Sequence, residues 1–311
     1  MANTALEDLI RINTNDILES FGLGSVRWGR RVLAAACYWP ARRFARTVLE
    51  FDRRVGQDGL QSAAQWGVGQ FAAEVELLGS EHVPQAGPVL FVANHPGITD
   101  TLALYATLAR RDLHTVAALR PFLAVLANMG RRLVYVDEDA HAHLGVVRRV
   151  IHHLRSGGSV LTFPAGKIEP DPAVLPGASA ALDAWTDSIG MFARLAPETR
   201  IVPVLVSGVF SPRALTSPLA RVRRRQQDRE RFAAMLQVVA PRRYPVRVTV
   251  ALGRPHNAAE LLAASSSASK SASNSASNSA SNSASNSVGI KQAVVEEMRR
   301  LLQTSPRGLL F

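Results

Sequence analysis

Apolar residues fall into two patterns along the chain. Short runs at 75–78 (VELL), 89–93 (VLFVA), 115–119 (TVAAL), 133–136 (LVYV), 160–163 (VLTF), 201–206 (IVPVLV) and 246–252 (VRVTVAL) are bounded by Gly, Pro or polar residues and predict buried strands. Between them, helical spacing predicts helices over 98–108, 121–129, 146–155 and 178–195. Strands alternating with helices make an α/β domain with helices covering its sheet.

The flanks differ. Residues 5–20 read as a polar helix and 26–54 as a longer one, broken or kinked at Pro40. In the longer helix Trp28, Val32, Ala35 and Ala36 share one face, while Phe44, Val48 and Phe51 continue an apolar face. Arg42, Arg43, Arg46, Arg53 and Arg54 supply charge. Such a helix lies in a membrane interface or packs on the main domain with solvated arginines. Near the other end, 265–287 is low in complexity and repeats Ser-Ala-Ser-Asn from 271, which predicts a disordered insert. Beyond it Ile290, Val294, Met298 and Leu301 recur at helical spacing, predicting an amphipathic tail helix docked on the domain. The division expected is an N-terminal helical region (1–72), a main domain (73–262), the insert (263–288) and the tail helix (289–311).

Composition narrows the partners. The formal net charge is +11 over 311 residues, which favours an anionic partner such as nucleic acid, anionic lipid or a phosphorylated cofactor. The single cysteine, Cys37, excludes an intrachain disulfide and a multi-cysteine zinc site, and fits a reducing compartment. The start, MANTALEDLI, lacks a basic leader, and no apolar run approaches the roughly 18 residues of a spanning helix, so neither a secretory signal nor a transmembrane span is expected.

The candidate chemistry lies in residues 91–100, FVANHPGITD. An apolar strand runs into the polar corner Asn94-His95-Pro96-Gly97 and a helix follows, so His95 sits at a strand-to-helix turn with Asp100 in the first helical turn. Histidine takes a proton near neutral pH, and a carboxylate on its second ring nitrogen sets the tautomer and stabilises the imidazolium. The spacing also fits a helix-capping Asp beside a loop His.

What separates these readings is the order of segments downstream. NHPGITD (94–100), GRRLVYVDE (130–138), FPAGKIEP (163–170) and IVPVLV (201–206) follow one another as the blocks of the glycerolipid acyltransferase family, the lysophosphatidic acid acyltransferase superfamily, which this chain resembles over about 73–260. The resemblance implies a mixed sheet flanked by helices in the glycerol-3-phosphate acyltransferase-like fold. It implies an enzyme moving an acyl chain from acyl-CoA or acyl-carrier protein to a lysolipid hydroxyl or related acceptor, without a cofactor or metal. His95 is then the general base and Asp100 its orienting partner. Asn94, Arg131, Arg132, Phe163, Pro164, Gly166, Lys167 and Glu169 become the expected substrate-binding residues. The turn at 163–166 reads as an ordinary strand-ending turn or as a set of amides facing an anion or developing oxyanion. Pro203 reads as structural.

The chain departs from the family's phosphatidic-acid branch at two places. Glu138 stands where that branch has an Arg, and Ala165, Gly166, Lys167 and Ile168 stand for its E-G-T-R. Glu138 repels a phosphate and Ile168 cannot bind one, whereas Glu138 and Glu169 suit a neutral or cationic acceptor head. The P-A-G form is similar to the haemolysin-like and ornithine-lipid branch. Lysophosphatidic acid is therefore expected to be a poor acceptor. The expected location is the cytoplasmic face of a membrane, as a peripheral protein.

Other classes fit less well. The basic run Arg221, Arg223, Arg224, Arg225, Arg229 and Arg231 attracts phosphates, yet no aromatic residue alternates with it and no nucleic-acid motif accompanies it, so no nucleic-acid partner is expected. A non-catalytic basic protein binding a membrane surface or nucleic acid is the alternative. His141, His143, His152 and His153 complete no metal pattern, and Gly22-Leu23-Gly24 lacks the third glycine and the preceding strand of a dinucleotide site.

Overall fold

The structure is a computed structural model that describes residues 2–20, 22–23, 30–136, 140–221, 225–272 and 279–304. Its centre is an eight-stranded mixed sheet: β1 (Glu74–Leu78), β2 (Val89–Ala93), β3 (Leu113–Ala118), β4 (Leu133–Val136), β5 (Ser159–Thr162), β6 (Arg200–Ser207), β7 (Arg247–Leu252) and β8 (His256–Asn257). The order is β1-β7-β6-β2-β5-β3-β4, with β8 also paired to β6. Strands β6, β2, β5, β3 and β4 are mutually parallel, so their C-terminal ends share one edge. β7 and β8 lie antiparallel to β6, and β1 parallel to β7.

Helices cover both faces. On one lie α1 (Ala2–Ser20), α2 (Arg30–Asp58), α3 (Leu60–Phe71) and α4 (Ile98–Thr107). On the other lie α5 (Ala140–Arg155), α6 (Ser188–Leu195), α8 (Ala258–Ala272) and α9 (Ser279–Thr304), while α7 (Gln226–Val239) packs with the first group. The strands alternate between the two layers. Val89, Phe91 and Ala93 of β2 enter the first core, and Leu90 and Val92 enter the second. Burial on both faces explains why these strands read as continuous apolar runs. Each fully buried Val, Leu or Phe contributes roughly 1.5–3 kcal/mol. Pro203 sits inside β6 opposite Val92, and its carbonyl accepts the Gly253 N–H at 2.8 Å.

Several expectations need correction. Pro40 does not break α2, which continues through it, one lost N–H in a 29-residue helix being outweighed by the turns around it. Its two apolar faces part company: Val48 and Phe51 are buried, but Val32 is 74% exposed, Trp39 68% and Tyr38 41%. Trp28 lies outside the described residues. The single helix expected over 178–195 is a short turn, a 3-10 turn and α6, parted by the extended Trp185. The Ser/Ala tract is helical at both described ends, through Ala272 and again from Ser279, while 273–278 lie outside the described residues. Alanine favours helix, and small residues allow close packing there: a Cβ on Gly190 of α6 would meet the Ser287 Cα at 2.4 Å. Ile290, Val294 and Met298 of α9 are fully buried, as their spacing predicts.

Candidate active site

The shared edge of the parallel strands gathers His95 after β2, the 163–170 loop after β5 and the 208–211 turn after β6. From β2 the chain passes to β3, β4 and β5 on one side and later to β6 on the other. β2 is therefore the switch strand, and open α/β sheets bind ligands beyond the C-terminal ends of strands at such a point.

At the turn, Gly97 has φ 157° and ψ −170°, a conformation open essentially only to glycine. This extended residue leads into α4, from whose first turn Asp100 reaches back to His95 and to the Gly97 N–H. The Asp100 carboxylate is fully buried. Oδ2 accepts from His95 Nδ1 at 2.8 Å and from the Gly97 N–H at 2.9 Å. Oδ1 accepts from the Thr101 hydroxyl at 2.8 Å and from the Thr101 N–H. With Nδ1–H engaged, Nε2 is the nitrogen left for proton transfer. The His95 side chain is 29% exposed. Burial lowers its pKa, but the charge and hydrogen bond of Asp100, with the charge of Glu169, outweigh this and raise it above the ordinary histidine value. The Phe163 ring lies 4.6 Å from the imidazole, tilted by 35°, and covers one of its flanks.

The remaining expected residues divide by position. Lys167 is exposed beside Ile168, itself 52% exposed, on the loop that carries Phe163. Gly166 is left-handed, with φ 63°, and its N–H closes the turn onto the Phe163 carbonyl at 3.0 Å, so that amide is not offered to an oxyanion. Pro164 is buried, and its carbonyl accepts the Thr186 N–H.

Two others are structural. Asn94 is buried and exchanges hydrogen bonds with the backbone of Val206, Nδ2 donating at 2.9 Å and Oδ1 accepting at 2.7 Å. Its amide thus continues the β2–β6 ladder and does not face a substrate. Glu169 is also buried, with both carboxylate oxygens engaged: Oε2 accepts the His95 N–H at 2.9 Å and Oε1 accepts the Trp185 indole N–H at 2.8 Å. It does not face an acceptor head.

Arg131 and Arg132 are misplaced by sequence neighbourhood. They precede β4, at the opposite edge from His95, where Arg132 donates to the Arg111 carbonyl at 2.7 Å. A strand of this length separates the edges by about 13 Å. Glu138 lies outside the described residues. The histidine cluster also resolves differently: His153 meets His114 across this far edge at 2.9 Å.

One contributor carried no motif. Asp171, fully buried, accepts the backbone N–H groups of Gly208 (2.8 Å), Ala173 (3.0 Å) and Phe210 (2.9 Å), and so shapes the turn after β6. Burial pushes its carboxyl up, with those amides pulling it back. Its place between Pro170 and Pro172 was the only sequence signal of a fixed conformation.

Among the described residues no group of three or more His, Cys, Asp or Glu side chains is placed to hold a metal ion, and no helix is long and apolar enough to cross a membrane. Residues 74–207 match the family model described as Acyltransferase. The fold is also similar to a solved structure, the 1-acyl-sn-glycerophosphate (LPA) acyltransferase PlsC from Thermotoga maritima, with 16% identity, 94% of this chain and 88% of that chain covered, and a TM-score of 0.42. No curated protein matches the chain.

Proposed function

From the premise that residues 74–207 are a domain of the acyltransferase family, we propose that the chain moves a fatty acyl group from a thioester to a lysolipid-type acceptor, with His95 as general base. The observation that carries this reading is the 2.8 Å contact between His95 Nδ1 and the buried Asp100 at the edge where the switch strand ends. The acceptor hydroxyl attacks the thioester carbonyl carbon as its proton passes to Nε2. The C–S bond then breaks, and the thiolate recovers a proton from the imidazolium as free thiol. Asp100 holds the ring and balances its charge. General-base assistance of this kind contributes about 10²–10⁴ in rate. Both acyl-CoA and acyl-carrier protein are candidate donors, and neither requires a cofactor of the enzyme.

The bare face of α2 supports work at a lipid surface. Val32, Tyr38 and Trp39 are exposed together, with the Arg42 guanidinium 5.6 Å from the Trp39 ring. Aromatic residues beside arginine suit the interface of an anionic membrane. A peripheral enzyme on the cytoplasmic face follows, released from such membranes by salt as surface charge is screened.

Acceptor preference follows from the third block. Ala165 and Ile168 offer no charge, and Lys167 offers a point charge without a guanidinium's bidentate geometry. Arg131 and Arg132 are remote. A neutral head is therefore favoured over a phosphate, while the cationic alternative now rests on Glu138 and no longer on Glu169. The test is thiol release from acyl-CoA and from acyl-carrier protein by the purified chain on vesicles, with lysophosphatidic acid, neutral lysolipids and amino-acid-bearing lysolipids as acceptors. Acceptor-dependent thiol release that His95→Ala abolishes is expected. Release unaffected by that substitution would refute the mechanism, and a kcat/KM highest for lysophosphatidic acid would refute the preference.

A further inference from the structure

Glu169 ties His95 to the 163–170 loop by two hydrogen bonds running in opposite directions. Its carboxylate Oε2 accepts the His95 N–H at 2.9 Å, and its own N–H donates to the His95 carbonyl at 2.9 Å. The main chain of the catalytic turn is thus held on both polar groups by one residue. The other carboxylate oxygen is held from the opposite side by the indole N–H of Trp185, which is 2% exposed. Glu169 is itself only 4% exposed.

We propose that Glu169 is a positioning residue for His95, locking the turn that carries the base to the loop that carries Phe163 and Lys167 and placing a second negative charge near the imidazolium. This role rests on His95 acting as the base assigned above. The site is specific for a carboxylate. Two N–H donors converge on the two oxygens, and the ionised form accepts both with no proton of its own left to place. A glutamine would satisfy one donor and set its NH₂ against the other. Asp100 fixes the imidazole through its side chain, whereas Glu169 fixes the same residue through its backbone. The two carboxylates therefore constrain different degrees of freedom. Any displacement of the 163–170 loop by a bound acceptor passes directly to the position of Nε2, and misplacement of about 1 Å costs on the order of 10² in rate.

The test compares the full-length wild type with Glu169→Gln, Glu169→Asp and the double variant Glu169→Gln/Trp185→Phe. The His95 pKa is read by NMR titration of the imidazole, assigned by its loss in His95→Ala, and kcat and KM for the acyl donor are measured alongside. Glu169→Gln should lower the His95 pKa, because the charge of Glu169 is one of those that hold it up. It should also reduce kcat roughly 10–100-fold with KM changed less than about twofold. In the double variant the amide oxygen can take the His95 N–H while its NH₂ faces the place of the missing indole N–H. Part of kcat should return there, with the pKa still low because the charge is not restored. Glu169→Asp keeps the charge but withdraws it by one methylene, and covers the case in which the amide variant does not fold: kcat should fall while most of the pKa elevation stays. An unmoved His95 pKa and kcat in Glu169→Gln, wild-type kcat in Glu169→Asp, or a double variant worse than both singles would overturn the proposal. Absence of acyl transfer by the wild type on every acceptor would sink the enzymatic reading alone, because the titration decides the electrostatic part without turnover.

Discussion

Replacing Asp100 by Asn separates the chemistry from the fold. The carboxylate accepts four hydrogen bonds, from His95 Nδ1, the Gly97 N–H and the N–H and hydroxyl of Thr101. An amide keeps one oxygen. If that oxygen stays with Thr101, the NH₂ faces His95 Nδ1 and drives the ring proton to Nε2, leaving no free base where the acceptor hydroxyl lies. It also faces the Gly97 N–H, donor against donor. Loss of the correct tautomer and of the imidazolium's counter-charge costs about 10³–10⁴ in kcat, by analogy with the Asp-to-Asn change in a serine-protease triad. That corresponds to about 4–5 kcal/mol of transition-state stabilisation. One buried N–H left unpaired costs about 1–3 kcal/mol of stability, within the 5–15 kcal/mol typical of a domain, so the variant should stay folded. Thiol release under saturating donor measures the first quantity and urea unfolding followed by circular dichroism the second. A folded Asp100→Asn enzyme within tenfold of wild-type kcat would refute the assigned role of Asp100.

Three further outcomes follow from the geometry. Because the His95 pKa is raised, the acid limb of kcat/KM should fall above the ordinary histidine value of 6.5, activity increasing as pH climbs through the raised value; the ion pair's contribution to stability runs the other way, complete below the unfolded value and lost through the folded one, and a limb below 6.5 would contradict both. Asn94→Ala orphans the Val206 N–H and carbonyl, which should cost about 2–4 kcal/mol and lower Tm by roughly 3–6 °C in differential scanning fluorimetry; an unchanged Tm would show that Asn94 does not bridge the strands. Arg131→Ala and Arg132→Ala should leave the KM of every acceptor within about twofold, since both residues stand an entire strand away from His95; a tenfold rise in KM would place the acceptor elsewhere.

Much of this was legible because it is local. A strand, a Pro-Gly corner and a helix start bring residues five apart into contact, so His95 and Asp100 could be paired from spacing, and the doubly buried strands announced themselves as apolar runs. What failed was direction and partnership. Arg131 and Arg132 adjoin a recognisable block, but block membership does not say at which end of β4 a residue stands, and parallel pairing puts them on the far edge. Glu169 and Asn94 looked functional because polar residues in motif blocks usually face solvent; their partners, Trp185 and Val206, come from elements distant in sequence. α7 went unread because few of its positions are buried, Phe232, Ala233 and Gln237 among them.

The placing of β7 matters before the protein is finished. β6 is completed at Ser207, but the strand that covers its flank begins only at Arg247, and β1 waits for that same strand because Glu74 pairs with Arg247. A ribosome adding about 5–20 residues per second leaves the nascent chain for several seconds with the apolar ladder of β6 unpaired on one side. An uncovered strand of this kind recruits other chains. Pro203, in the middle of β6, lacks the N–H that an intruding strand would engage, and so acts as a built-in gatekeeper during synthesis. A ribosome that stalls before β7 therefore releases a product for chaperones and proteases to remove, with the His95 turn already made and the sheet still open.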